Sequence, residues 1–161
     1  MSLTRSHVLA IIRILIGIGF LCLGISMLMN PDLLYGGLLR SLYETGGPVR
    51  FYNSIFLRVA EVRETLVVYV ASGISIVLGL LYISGTLFSL TSLAGAFFVA
   101  NIGMASSSMN RPRQLMFFLA TILLLMLGRA CAGLTWGVDA LLIRRFQDWL
   151  VLFPLRRKAP K

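Results

Sequence analysis

The sequence predicts an all-α fold: an integral membrane four-helix bundle with amphipathic interfacial helices. Three observations predict it. From Thr65 to Asn110, 46 consecutive residues include no Asp, Glu, Lys, Arg or His. A second apolar stretch, Val8 to Met29, lies near the N-terminus. Hydrophobic residues make up 58% of the chain and charged residues only 13%, where a soluble domain carries about 25% charged. A helix needs roughly 20 residues to cross a bilayer core of about 30 Å. The uncharged run is about twice that length, so it reads as two helices joined by a tight turn.

The first span covers residues 8–29. At about 22 residues it is longer than the apolar region of a cleaved signal peptide, which runs to about 15. Asn30-Pro31-Asp32 stops it, because Pro31 cannot continue the backbone ladder and Asp32 is costly in lipid. Arg13 lies a turn or so inside this span, where it either snorkels to the headgroups or faces a partner within the bundle. The second and third spans cover 66–83 and 87–105. Ile83-Ser84-Gly85-Thr86 makes the turn between them, since Gly and Ser interrupt the apolar pattern there. A polar segment, Ser106 to Arg113, leads into a fourth span over 114–132. The whole chain, 1–161, forms a single membrane domain.

Two segments are expected on the membrane surface. In residues 32–64, Leu34, Leu38, Leu39 and Leu42 form one apolar face. After Gly46-Gly47-Pro48, Phe51, Ile55, Phe56, Val59 and Val62 form another at helical spacing, on a helix that can run straight into the second span. In residues 137–153, Val138, Leu141, Leu142, Phe146, Trp149, Leu150 and Phe153 define a further amphipathic helix. Trp149 suits the interface, and Arg156-Arg157-Lys158 suits anionic lipid.

Four spans place both termini on one side. Nine basic residues fall on that side against six on the other, which makes both termini cytoplasmic. The net charge of +9 belongs to these flanks. No basic stripe is interleaved with aromatics, which argues against nucleic acid as a partner. Small residues recur at helical spacing: Gly17 and Gly24 on the first span, Ala71, Ser75 and Gly79 on the second, Ser92, Ala96 and Ala100 on the third. Such stripes let backbones approach closely. They pack the bundle internally, or one of them docks a partner subunit.

Chemistry-bearing residues are few. His7 is the only histidine, so two axial haem ligands cannot be assembled, and no His/Cys/carboxylate cluster has metal-ligand spacing. Cys22 and Cys131 are far apart in sequence and read as buried small hydrophobes. Glu61 and Glu64, with Arg58 and Arg63, read as surface pairs three residues apart. No intrinsic cofactor is expected.

The segment Gly133-Leu134-Thr135-Trp136-Gly137-Val138-Asp139-Ala140-Leu141-Leu142, directly after the fourth span, resembles the C-terminal signature of the DoxX/DoxD-like family of small four-span membrane proteins. Arg13, Gly17, Phe20 and Gly24 are similar to the family's first span, and Gly73 to Gly79 to its second; Asn101 falls where many members carry an Asn. Leu134, Tyr69 and Met27 stand where the family often has an Arg, a Glu and a basic residue. The resemblance implies a subunit of a membrane oxidoreductase system, since the family includes the small subunit of thiosulfate:quinone oxidoreductase. Three readings follow. The chain is an accessory, non-catalytic membrane subunit of a quinone-linked or other electron-transfer complex, with quinone, lipid or pigment at its surface. Or it is a DoxD-like enzyme subunit, with quinone near Arg129, Trp136 and Asp139. Or it is a small transporter or lipid-binding bundle. The expected partners are membrane lipids and a larger membrane complex or further copies of the chain. The expected location is the inner or cell membrane of a bacterium or archaeon. Asp139 either caps the helix that follows it or pairs with Arg129.

Overall fold

A computed structural model describes residues 5–32, 37, 50–105, 111–129, 137 and 138. Among the described residues there are four helices and no strand: α1 Arg5–Met29, α2 Arg50–Ser84, α3 Phe88–Ala105 and α4 Arg111–Arg129. α1 over His7–Met29 and α2 over Glu61–Ser84 are long and apolar enough to cross a membrane. Phe88–Met104 and Leu115–Arg129 are apolar but shorter. The segment before the second span adjoins it without a loop but does not run straight into it: two helical stretches meet within α2 at a kink at Arg63, where the backbone is extended (φ −155°, ψ 71°). Glu61, Val62 and Arg63 are all exposed at that break. The leucine-rich segment before Gly46 and most of the expected C-terminal amphipathic helix lie outside the described residues.

The helices pack in chain order, α1 on α2, α2 on α3 and α3 on α4. One core joins them, made of Phe20, Leu78, Tyr82, Phe88, Ala96, Leu124 and Leu127. Phe20 stacks on Tyr82 with ring centroids 5.5 Å apart, and Phe88 meets Tyr82 edge-on at 5.7 Å. Offset-stacked and edge-on arrangements are the favoured ones for aromatic quadrupoles.

The α1–α2 contact is built from small residues. On α1 the buried positions are Ala10, Arg13, Gly17, Phe20 and Gly24, spaced alternately by three and four. On α2 they include Val68, Ser72, Ser75, Gly79 and Tyr82, with the same alternation. That spacing keeps one seam facing the partner helix. A Cβ at Gly17 would fall 2.9 Å from the Gly79 carbonyl oxygen, and one at Gly79 would fall 2.8 Å from that of Gly17. A Cβ at Gly24 would fall 2.9 Å from the Ser72 carbonyl oxygen. Between these glycines, Ser75 Oγ donates a hydrogen bond to the Phe20 carbonyl at 2.9 Å. Gly73, the other glycine of the second-span pattern, faces open space.

The α2–α3 turn is Gly85-Thr86-Leu87. Gly85 takes φ +67°, where a residue without Cβ is at no disadvantage. Leu87, expected inside the third span, is instead a turn residue at φ 46°, and α3 starts one residue later. Local hydrogen bonds brace the turn. Gly85 N donates to the Leu81 carbonyl at 2.9 Å, and Ser84 Oγ reaches the same carbonyl at 3.2 Å. The hydroxyls of Ser84 and Thr86 are 3.1 Å apart, and Thr91 Oγ1 donates to the Thr86 carbonyl at 3.1 Å.

One expectation is corrected here. Cys22 is exposed rather than buried, because it lies off the Arg13–Gly17–Phe20–Gly24 seam that faces α2. Cys131 lies outside the described residues.

Candidate functional site

Beside the apolar core, the interior that the helices enclose holds a set of polar side chains. Arg13, Ser72, Ser75, Ser89, Thr91 and Ser92 are all buried, and Arg13 has no exposed surface at all. Of the two orientations open to Arg13, the structure therefore has the inward one. It follows from the seam: Arg13 precedes Gly17 by four residues, so it shares the face that packs on α2.

The guanidinium reaches the end of α2. Arg13 Nη2 donates toward the Ile83 carbonyl at 3.5 Å. The last carbonyls of a helix have no partner within it, and they carry the negative end of the helix dipole. A cation supplied by α1 answers both needs of α2. The same guanidinium lies against the turn. A Cβ at Gly85 would sit 2.8 Å from Arg13 Cζ and 3.0 Å from the Cα of Gly137. Gly137 is itself buried. Three parts of the chain thus meet at Arg13: α1, the α2–α3 turn and the segment that follows α4.

A second polar group lies nearby in the core. The Tyr82 hydroxyl lies beside Ser92. It also fills a notch at Gly95, where a Cβ would come within 2.7 Å of Tyr82 Oη. Ser89 precedes Ser92 by three residues, one turn away on α3. The hydroxyls of Tyr82, Ser89 and Ser92 are buried without a hydrogen bond of standard geometry. In contrast, Ser72 Oγ bonds back to the carbonyls of Val68 and Tyr69 in its own helix, at 2.8 and 3.0 Å. Asn101 Nδ2 and Thr121 Oγ1 likewise bond to carbonyls four residues back, at 2.6 and 2.8 Å. Among the described residues no group of three His, Cys, Asp or Glu side chains comes together.

The residues singled out from the sequence are placed as follows. Ser75 and Gly79 face α1, and Ala71 is half-buried beside them. Ser92 faces Tyr82, Ala96 joins the shared core, and Ala100 is half-buried. Both stripes therefore turn their central residues into the molecule. Arg129 ends α4 with an exposed side chain. Trp136 and Asp139 lie outside the described residues. Sequence reasoning did not single out Tyr82, Ser89 or the meeting of Gly85 with Gly137. Ser89 had a signal, its spacing of three from Ser92; the Gly85–Gly137 approach joins distant parts of the chain and had none.

What this interior can do follows from its groups. A guanidinium stays protonated and recognises carboxylates, phosphates and carbonyl oxygens. Hydroxyls donate and accept hydrogen bonds. Compared with known proteins, the chain matches no family model, no curated protein and no solved structure.

Proposed function

We propose that this chain is a four-span membrane protein that serves as an accessory, non-catalytic subunit of a larger membrane assembly. The observation that supports the membrane reading is the distribution of residues. Large apolar side chains point outward on every helix: Ile11, Leu15 and Ile25 on α1, Val70, Val77 and Leu80 on α2. Phe97 on α3 and Leu115, Phe118 and Met126 on α4 do the same. Inside, buried serines, close-packed glycines and an arginine accompany the apolar core. A water-soluble bundle keeps most such large apolar side chains inside, because burying apolar area is what drives its folding. In lipid the outer apolar surface costs nothing, and close approach of small residues holds the helices together.

The subunit reading draws on the resemblance of the C-terminal segment to the DoxX/DoxD-like family and on the interior's make-up. Its serines, glycines and stacked aromatics are packing elements. The quinone-linked electron-transfer setting is part of this proposal. Cytoplasmic termini are part of it too, although Arg13, being enclosed, no longer counts toward the flanks. That leaves eight basic residues against six.

Two experiments test the reading in turn. Alkaline washing of membranes should leave the chain in the pellet, and only detergent should release it; release by carbonate overturns the spanning topology. Native mass spectrometry after gentle solubilisation should find larger subunits bound to it. A chain that is monomeric in mild detergent and in native nanodiscs overturns the subunit reading while leaving the spans intact.

A further inference from the structure

α2 changes character at Arg63. From Glu64 to Ser84 it is helical throughout, uncharged after its first residue, and it ends at the Gly85 turn. That stretch rises about 30 Å, the thickness of a bilayer core. With the turn at one face of the bilayer, the break at Arg63 falls at the other. The backbone suits that depth. An extended residue inside a helix disturbs the ladder of hydrogen bonds around it, which is costly in hydrocarbon and tolerated where water and headgroups supply partners. No proline or glycine lies between Arg50 and Ser72 to account for the break from within.

Before the break, the spacing of Arg50–Val62 gives the helix two faces. Arg50, Ser54, Arg58 and Glu61 fall on one, and of these Ser54, Arg58 and Glu61 are exposed. Phe51, Ile55, Val59 and Val62 fall on the other. Val62 closes that apolar stripe, and it is 78% exposed. Beyond the break Leu66, Tyr69 and Val70 are exposed as well, so the uncovered apolar surface continues onto the span. A helix of this pattern lies in the plane of the membrane interface, with its apolar face toward the acyl chains. Arg58, one turn before Val62, stands at the border of the two faces, and Arg63 is exposed at the break itself. A guanidinium at headgroup depth meets phosphates, which it grips with two parallel N–H donors. We propose that the elbow at Arg63 is a phospholipid-binding site: Arg58 and Arg63 hold headgroup phosphates while Arg50–Val62 lies along the bilayer surface on its apolar stripe. Glu61, on the polar face, is turned to water in this arrangement. The proposal rests on α2 spanning the membrane, and it holds whether or not the chain serves a larger complex.

Spin labels test it on the full chain, with Cys22→Ser and Cys131→Ser as background, in nanodiscs of phosphatidylglycerol and phosphatidylcholine. Labels placed by Phe51→Cys, Ile55→Cys and Val59→Cys should be reached by oxygen rather than by a polar nickel chelate, and all at nearly one depth. A label placed by Ser54→Cys should be reached by the chelate. Chelate access on both faces, or a depth that changes steadily from residue 51 to residue 62, means that the helix projects from the membrane and overturns the proposal. Immobile labels that neither reagent reaches overturn it in favour of a protein partner. Labels placed by Val70→Cys and Val77→Cys separate this failure from that of the span. If they report hydrocarbon while the earlier positions do not, the elbow site alone fails; if they report water, the spanning reading falls with it. For the arginines, the ratio of membrane-associated to free label at residue 55 should drop about fivefold with each of Arg58→Gln and Arg63→Gln. An unchanged ratio overturns their role as phosphate ligands.

Discussion

At the scale of single residues, the α1–α2 seam makes the sharpest distinctions. Gly17 and Gly19 are neighbours on one helix with opposite environments. A Cβ at Gly17 meets the Gly79 carbonyl and Ile83, whereas one at Gly19 meets nothing within 4 Å. Gly17→Ala should therefore destabilise the protein by about 1–3 kcal/mol, the range for overpacking a close contact. Gly19→Ala should be neutral or gain up to about 1 kcal/mol from helix propensity. Thermal melts of the two variants in one detergent check this contrast. The hydroxyls make a second one. Ser75→Ala loses a hydrogen bond between helices and should cost about 0.5–1.5 kcal/mol. Tyr82→Phe keeps the stack on Phe20 and removes a buried hydroxyl that lacks a good partner, so its melting temperature should be unchanged or higher. The spacing of Gly17 and Gly24 in the sequence already marked the seam. It also held the direction of Arg13, which lies on the same stripe, although snorkelling was an equally good reading of an arginine near a span's end.

At the scale of elements, the four apolar helices were legible because each is a long apolar run set off by polar or turn residues. Their ends were less so. The α2–α3 turn fell where Gly and Ser interrupt the pattern, yet Leu87 joined the turn in a left-handed conformation that its side chain does not signal. The break at Arg63 likewise has no proline or glycine to announce it. Gly85 is the residue on which the turn depends. Gly85→Ala would force a Cβ into the left-handed region at a cost of about 1–2 kcal/mol, and would push it against Arg13 and Gly137 as well. Its loss of stability should therefore exceed that of Gly17→Ala in the same assay. A smaller loss would mean that the turn relaxes without disturbing the guanidinium.

At the scale of the whole molecule, the antiparallel order of the helices sets a topology that labelling can read. In a background with Cys22→Ser and Cys131→Ser, a thiol placed by Ser41→Cys or Ser107→Cys should react with an impermeant reagent added from outside. One placed by Ser2→Cys or Ala159→Cys should react only after the membrane is opened, and the reverse pattern would invert the protein. What the sequence could not reveal is which distant segments meet, because these helices carry large apolar side chains on their outer faces as well as in their core. The contact of Gly137 with the turn is the example: nothing within ten residues of either glycine announces the other. The turn at Gly85-Thr86-Leu87 has a consequence for how the protein is made in the proposed four-span topology. It carries no charge and is braced by local hydrogen bonds, so in that topology α2 and α3 enter the bilayer together as a hairpin. The costlier step is then carrying Arg40, Arg50, Arg58 and Arg63 across the membrane.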